Sequence, residues 1–275
     1  MFQLLPEYIG QVWPLFMWSV IIVAAIGCCM GFKEFVWFMS VGYGFAVMCI
    51  GAYLLIFGLV TKNLTPARGI MAALFAVYGY RLGGYILKRE LTNAAYKKTL
   101  ESTGSTKAMP IPVSAFMWVY SMFMYTAQTS ALTYRYINQA KDNLWAWVGI
   151  VIMALAIVGE ATADRQKSAA KKVNPKRFCD TGLYKIVRCP NYFSEVLFWV
   201  GVTVSGIGAV QGKQWIIVII ALILITYVMY NSASRLELRH EKPYGLDPAY
   251  QKYSDTVPLL FPFTKQFHSM KVYRD

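Results

Sequence analysis

Three ionisable side chains lie inside long apolar stretches of this sequence. Arg81 lies in "YGYRLGGY", Glu160 in "VGEATADRQKS" and Glu195 in "NYFSEVLFWVG". Ionisable groups at membrane depth are rare, and they mark sites of ligand binding, proton transfer or polar pairing between helices. Structural alternatives exist for two of them. Arg81 could extend its charge to the membrane surface, and Glu160 could end a helix beside its own basic loop.

Glu195 has the most informative surroundings of the three. Pro190 suits the first turn of a helix, where its missing N–H costs nothing. Asn191, Glu195 and Trp199 then follow at intervals of four residues, on one helical face. Because the cation Arg188 lies just upstream, the helix start combines free N–H groups with positive charge, which suits a phosphate or pyrophosphate. Alternatively, Asn191 and Glu195 hydrogen-bond to other helices as structural polar pairs.

The rest of the chain is apolar enough to place these residues in a membrane. The 275 residues are 57% hydrophobic, and the mean hydropathy is +0.41. Uncharged runs reach or approach the roughly 20 residues that a bilayer-spanning helix needs. We therefore predict an all-α, polytopic protein that forms one integral membrane domain over residues 1–275. The seven predicted spans are 11–30, 35–60, 69–87, 111–133, 144–159, 191–210 and 215–234. The first is expected to be retained, because no basic segment precedes it.

The net charge of +13 is concentrated on one side of this predicted topology. Of the 27 Lys and Arg residues, 21 lie in segments 31–34, 88–110, 162–190 and 235–275, and five lie in the alternate loops. Because cationic loops stay cytoplasmic, we expect the N-terminus outside and the C-terminus in the cytoplasm. The membrane would be the bacterial inner membrane or the endoplasmic reticulum. Since topology and lipid headgroups explain the basicity, we expect the bilayer, and no nucleic acid, as a partner.

The first four predicted spans are joined by modest loops with one longer polar segment, 88–110, whereas the second half carries two long polar segments, 162–190 and 235–275. We therefore divide the chain into helices 1–4 (1–134), the substrate side, and helices 5–7 with their loops and tail (135–275), the cofactor side. The tail sequence "EKPYGLDPAYQKYSDTVPLLFPF" is rich in Tyr and Pro, which favours a packed cytoplasmic cap. The five cysteines form no Cys-x-x-Cys pair and do not group with the two histidines, so no metal site is expected.

Three segments of the second half resemble membrane enzymes related to the C-terminal domain of steroid 5α-reductases. "GLYKIVRCPNYFSEVLFWVG" is similar to the family signature GL(W/Y)xxxRHPNYFGExxxWxG, with Cys189 in place of its histidine and Ser194 in place of its glycine. "GEATADRQKS" resembles a Glu/Asn-x-x-x-Asp-x-Gln segment at Glu160, Asp164 and Gln166. "YGLDPAYQKYSDTVPLLFP" resembles the closing Tyr-rich stretch. Three motifs in the right order make a specific match.

The resemblance implies an NADPH pocket that opens to the cytoplasm, below a lipophilic substrate site among seven helices. It implies that Asn191 and Asp164 contact the cofactor. Glu195 and Trp199 would border the meeting point of the nicotinamide and the substrate, with Glu195 counted as catalytic and Trp199 as a substrate residue. The other candidate cofactor residues are Glu160, Lys171, Arg188, Tyr192, Arg235, Arg239 and His240.

The third predicted span carries the candidate carbonyl-binding residues. "YGYR" resembles a Tyr-x-x-Arg element of the steroid reductases, whose tyrosine polarises the substrate ketone; this places Tyr78 and Arg81 in the catalytic set. The steroid reductases also carry a Gln-Glu pair on the second helix. The second span here contains neither residue type, and Tyr43 and Tyr53 are its only large polar side chains. Tyr53 is the candidate replacement at the substrate site.

The predicted reaction is NADPH-dependent reduction of a conjugated carbon–carbon double bond in a lipophilic substrate, a 3-oxo-Δ4 steroid or a related enone. The alternative is an isoprenylcysteine-type methyltransferase, from a more distantly related family that uses S-adenosylmethionine and a similar Arg-His-Pro-x-Tyr motif. This chain lacks both that histidine and the Asn-Pro that follows it in those enzymes. A seven-helix transporter or receptor is a third interpretation, but no inverted repeat is visible. We expect no obligate protein partner.

Overall fold

In a computed structural model of the protein, the structure describes residues 10–92 and 109–264, and this part of the chain is helical, without strands. The all-α prediction is confirmed. The helices are α1 (Leu15–Cys28), α2 (Val41–Val60), α3 (Pro66–Thr92), α4 (Ile111–Gln128), α5 (Ser130–Ile137), α6 (Leu144–Val173), α7 (Pro190–Ser205), α8 (Gln214–Tyr244) and α9 (Pro248–Thr256). Short 3-10 helices lie at Cys29–Phe32, Phe35–Met39 and Gly182–Lys185.

Five of these helical segments are long and apolar enough to cross a bilayer, which indicates a multi-pass membrane protein. They are Leu15–Phe32, Val41–Val60, Pro66–Thr92, Leu144–Val173 and Gln214–Tyr244. The predicted spans 111–133 and 191–210 correspond to α4, with 18 residues, and α7, with 16, and neither is among the five. Seven crossings and the orientation of the termini therefore stay predictions.

Two helices continue far beyond their apolar stretches. α6 runs 14 residues past the predicted end at residue 159, to Val173, and α8 runs ten residues past 234, to Tyr244. At 1.5 Å per residue, the extension of α6 is about 21 Å long. Its sequence, "EATADRQKSAAKKV", is mostly good helix formers without Gly or Pro. The helix therefore has no local reason to stop where hydropathy falls, and its polar end carries candidate site residues.

The chain separates into two compact units. The first unit comprises residues 1–150 and 202–221, and the second comprises 151–201 and 222–275. In the first unit, α2 and α3 pack with their backbones in contact. A methyl group added at Gly44 would overlap the backbone of Gly83, and one added at Gly79 would overlap the backbone of Met48. Small residues allow such close approach between membrane helices, and the approach fixes the side chains on either side of it.

The second unit is held together partly by the chain's last described segment. The backbone N–H groups of Arg188 and Cys189 donate to the carbonyls of Pro258 and Leu259 at 2.9 and 3.0 Å. Tyr250, in α9, is also buried. The structure therefore packs part of the tail, from Tyr250 to Leu259, within the second unit, whereas Phe263 is exposed. The cytoplasmic cap stays a prediction.

Candidate active site

The three segments that carry the family resemblance meet within the second unit. The Gln166 side chain, on α6, accepts a hydrogen bond from the backbone N–H of Leu183 at 2.9 Å. The Tyr253 hydroxyl, on α9, donates to the backbone carbonyl of Tyr184 at 2.8 Å. The backbone of residues 188–189 also pairs with that of residues 258–259. These hydrogen bonds therefore link the three segments to one another.

Gly182 lets the middle segment approach α6. Its φ is +60°, a left-handed conformation that glycine adopts without steric cost. A methyl group at Gly182 would also overlap the amide of the Gln166 side chain. This position therefore requires glycine for two reasons, its backbone conformation and its space.

Gly182→Ala is expected to destabilise the protein by more than the roughly 1–2 kcal/mol that the left-handed conformation alone costs, because the Gln166 amide must also move. Thermal unfolding in detergent would measure the loss. Gly212→Ala is a matched control, since Gly212 has a φ of +45° and no neighbouring atom within 4 Å of an added methyl group. An equal loss in the two variants would contradict the contact with Gln166.

Around this junction, ten side chains enclose a cavity that we call the basic pocket. Its lining combines four basic side chains, three tyrosines, a phenylalanine, a cysteine and a carboxylate. These residues are Lys167, Lys171, Phe178, Cys179, Tyr184, Arg188, Glu237, His240, Tyr250 and Tyr253. The α6 residues 167 and 171 are four apart and the α8 residues 237 and 240 are three apart, so each helix presents one face to the pocket. The open volume is about 20 Å³, roughly the room that one water needs.

A buried ion pair forms part of the pocket wall. Arg188 donates through Nη1 to Oε1 of Glu237, and the Tyr250 hydroxyl donates to the same oxygen at 3.1 Å. Both charged residues are buried, with 7% and 3% of their surface exposed. Because removing two charges from water is costly, such a pair needs further hydrogen bonds to be stable. Tyr250 provides one of them, so the pair depends on the docked tail.

Lys171 and Tyr184 differ in whether their polar atoms form hydrogen bonds within the protein. The Lys171 ammonium donates to the backbone carbonyls of Pro175 and Arg177 and to the hydroxyl of Tyr244, at 3.1, 2.7 and 2.9 Å. These three acceptors match its three N–H donors. The Tyr184 hydroxyl is buried and has no hydrogen-bond partner in the part of the chain that the structure describes. Tyr184 therefore retains a donor for a ligand, whereas Lys171 is committed to the fold.

Burial keeps the phenols and one thiol of this region protonated. It raises the pKa of Tyr184, Tyr250 and Tyr253 above their usual value, and the nearby Cys179 and Asp164 raise the pKa of Tyr184 further. Burial also raises the pKa of Cys189, which replaces the signature histidine, to about 12. At neutral pH the tyrosines are therefore hydrogen-bond donors, and position 189 carries no charge.

The structure distributes the predicted cofactor residues unevenly. Lys171, Arg188 and His240 line the basic pocket. The remaining predicted residues of the second unit are not among the side chains that line it, and they differ in burial. Asp164, Asn191 and Tyr192 are half-buried, Glu160, Glu195 and Trp199 are buried, and Arg235 and Arg239 are exposed. The roles of these residues stay predictions.

Sequence reasoning had not singled out several residues of the basic pocket: Lys167, Phe178, Cys179, Tyr184, Glu237, Tyr250 and Tyr253. A signal was available for Lys167 and Glu237, since each lies three or four residues from a predicted residue on the same helix. The tyrosines lay inside matched segments, but nothing in their spacing showed which of them face inwards.

In the first unit, the candidate carbonyl-binding tyrosine is deeply buried. Tyr78 has 0% of its surface exposed, and its hydroxyl lies 3.2 Å from the hydroxyl of Tyr43. The half-buried Tyr53 instead donates its hydroxyl to Ser19 at 2.8 Å. Arg81 is half-buried, three residues beyond Tyr78 on α3. Of the two tyrosines on α2, the structure therefore brings Tyr43, and not the predicted Tyr53, to Tyr78.

These features define a class, namely helical multi-pass membrane proteins with a basic, tyrosine-lined pocket built from three separate segments. A family model described as a protein of unknown function (DUF1295) matches residues 13–257, and the chain belongs to this family. The steroid 5-alpha-reductase DET2 of Arabidopsis thaliana is 27% identical over 98 residues, covering 34% of this chain. The match spans 37% of that relative's length. No solved structure matches this chain.

The donor set of the basic pocket fits the phosphate groups of a nucleotide cofactor. Lys167, Tyr184 and Arg188 line the same space, and cations with neutral donors are the usual partners of phosphate oxygens. The open volume of about 20 Å³ is far smaller than a nucleotide. A nucleotide would fit there only after the lining side chains, or the docked tail, had moved apart.

Proposed function

We propose that the protein is a membrane oxidoreductase that uses NADPH to reduce a conjugated carbon–carbon double bond in a lipophilic enone, with 3-oxo-Δ4 steroids as the first class to test. One observation carries most of the weight: three segments that resemble the reductase signature meet around one basic pocket. The similarity to a protein named steroid 5-alpha-reductase supports the same reaction class.

In this proposal, the second unit binds the cofactor. Lys167, Arg188 and the Tyr184 hydroxyl hold phosphate oxygens in the basic pocket, while Glu237 and Tyr250 fix the orientation of Arg188. Asn191 and Asp164 bind the neutral polar groups of the same molecule. When bound, the reduced nicotinamide supplies a hydride.

The first unit polarises the substrate carbonyl. Addition of a hydride to the β-carbon of an enone moves negative charge to the carbonyl oxygen, and a proton from solvent then completes the α-carbon. Tyr78 donates its hydroxyl hydrogen to that oxygen and stabilises the developing enolate. Because Tyr78 has no exposed surface, the substrate reaches it only when neighbouring side chains move apart. In that apolar surrounding water competes little for the bond, and such a donor has its largest effect.

A lipophilic substrate suits the outer surface of the helices. Large apolar side chains, including Ile22, Ile56, Leu155 and Ile223, are exposed on α1, α2, α6 and α8. In a membrane these faces contact lipid, where a steroid-like molecule is concentrated by its own partitioning. We therefore propose that the substrate reaches the protein from the bilayer.

The direct test is NADPH oxidation by the detergent-purified protein with a panel of 3-oxo-Δ4 steroids and simpler enones. The expected products are two mass units heavier than their substrates. Binding of S-adenosylmethionine and methyl transfer to an isoprenylcysteine, without NADPH binding, would instead identify a methyltransferase and refute the proposal.

Asn191→Ala and Asp164→Ala are each expected to weaken NADPH binding by about 1–3 kcal/mol, roughly five- to 150-fold, because each removes a hydrogen-bonding partner of a buried ligand group. Isothermal titration with NADPH would measure the change. Ser168→Ala, at an exposed position of the same helix as Asp164, should leave the affinity unchanged. Wild-type affinity in both variants, with folding verified, would refute the roles of these two residues.

A further inference from the structure

Two buried tyrosine hydroxyls form a pair in the first unit. The hydroxyl oxygens of Tyr43, on α2, and Tyr78, on α3, are 3.2 Å apart, and either can donate to the other. The two rings meet edge to face, with centroids 6.4 Å apart and an interplanar angle of 75°. Only 5% of Tyr43 and 0% of Tyr78 are exposed. The pair is therefore a dry hydrogen bond between neighbouring helices.

Further contacts fix the position of Tyr43. Its ring packs against that of Tyr125, on α4, with centroids 5.1 Å apart. Tyr125 is itself buried, and its hydroxyl donates to the backbone carbonyl of Phe38. The adjacent residue, Gly44, lies at the close backbone contact between α2 and α3. Because ring, backbone and helix spacing are all constrained, the Tyr43 hydroxyl cannot move away from Tyr78 without repacking three helices.

We propose that Tyr43 is a positioning residue that acts through Tyr78; this inference rests on the proposed function. A phenol has one hydrogen to donate. If Tyr78 gives its hydrogen to the substrate carbonyl, its oxygen is left to accept, and the Tyr43 hydroxyl is placed to donate to it. Successive hydrogen bonds polarise one another, so the Tyr43 bond strengthens the one that Tyr78 makes as charge develops on the substrate. No proton leaves Tyr43.

The composition of α2 supports this assignment. Residues 41–60 include no carboxylate, amide, histidine or cation, so a phenol is the strongest donor that this helix offers. The other phenol on α2, Tyr53, donates to Ser19. Tyr43 is therefore the α2 residue that can supply a second hydroxyl to the carbonyl-binding group.

The kinetic test compares Tyr43→Phe, Tyr78→Phe and the double variant. Tyr43→Phe is expected to lower kcat about tenfold, the size of one ordinary hydrogen bond, with KM unchanged. The double variant should be no slower than Tyr78→Phe alone, because Tyr43 acts only through Tyr78. Tyr134→Phe is the control; it removes an equally buried hydroxyl that donates to the backbone of Val12 at 2.6 Å, and its kcat should match the wild type.

Two outcomes of this test overturn the inference while leaving the proposed function standing. One is a wild-type kcat in Tyr43→Phe when Tyr78→Phe is impaired. The other is an additive loss in the double variant, which would mean that Tyr43 acts independently of Tyr78. No enone reduction by the wild-type protein would instead remove the proposed function, and this inference with it.

A second measurement tests the contact without turnover. 3-Fluorotyrosine at position 78 gives a fluorine resonance that is sensitive to hydrogen bonds at the adjacent hydroxyl. Tyr43→Phe is expected to shift this resonance, and Tyr134→Phe is expected to leave it in place. An unchanged resonance in Tyr43→Phe would overturn the pairing of the two hydroxyls itself.

Discussion

Tyr78→Phe is expected to lower kcat for enone reduction by about 10²–10³-fold, the usual effect of removing one donor aimed at a developing oxyanion. The substitution keeps the ring and its packing and deletes a single hydroxyl. NADPH affinity should stay at the wild-type value, because Tyr78 is not among the residues that line the basic pocket. Steady-state turnover with a verified enone, alongside NADPH titration, measures both quantities.

Tyr80→Phe is the matched control for this variant. Tyr80 lies two residues further along α3 and is 68% exposed, so the same chemical change occurs on the outer face of the same helix. Its turnover should equal that of the wild type. If Tyr78→Phe also retained turnover within a few-fold, Tyr78 would be a packing residue and the carbonyl donor would have to be sought elsewhere.

Arg188→Met is expected to destabilise the protein by about 3–5 kcal/mol, because it leaves the buried Glu237 carboxylate without its cation. Methionine retains most of the apolar stem of arginine, so the lost charge dominates the effect. Thermal or denaturant unfolding in detergent would measure the loss. NADPH affinity should fall in the same variant, since the guanidinium lines the basic pocket.

Two further variants separate the lost ion pair from other causes. Adding Glu237→Gln to Arg188→Met replaces the uncompensated carboxylate by a neutral amide, which can still accept from Tyr250, so more than half of the lost stability should return. Arg177→Met breaks an exposed ion pair with Asp180 and should change stability little. A double variant as unstable as Arg188→Met alone would contradict the importance of the buried pair.

Hydropathy predicted where apolar helices lie but not where helices end. The predicted span 35–60 contains α2, and the predicted span 215–234 lies within α8. Hydropathy did not predict the polar extensions of α6 and α8, because it shows only which residues are apolar enough to contact lipid. A helix instead ends at a helix-breaking residue or where its terminal backbone groups find other partners. α8 therefore continues through "RLELRHEKPY", and that polar extension supplies Glu237 and His240 to the basic pocket.

The resemblance predicted which segments form the site, but not which side chains face inwards. On α8, His240 lines the basic pocket while Arg235 and Arg239 are exposed. The orientation of a helix about its axis depends on what packs against it, and a charged residue gives no signal of its direction in a single sequence. On α2, Tyr43 and Tyr53 were indistinguishable by type. Only the contact between α2 and α3 showed which of them reaches Tyr78.

The backbone bonds from residues 188–189 to residues 258–259 also set an order of events during synthesis. All five apolar helices end by residue 244, so none of them includes any part of α9. The basic pocket, however, needs Tyr250 and Tyr253 as part of its wall. Because a growing chain folds from its N-terminal part onwards, the binding site is completed last. A chain that stopped at residue 247 would carry every apolar helix but only part of the pocket, so integration into the membrane and competence to bind a ligand would be separable.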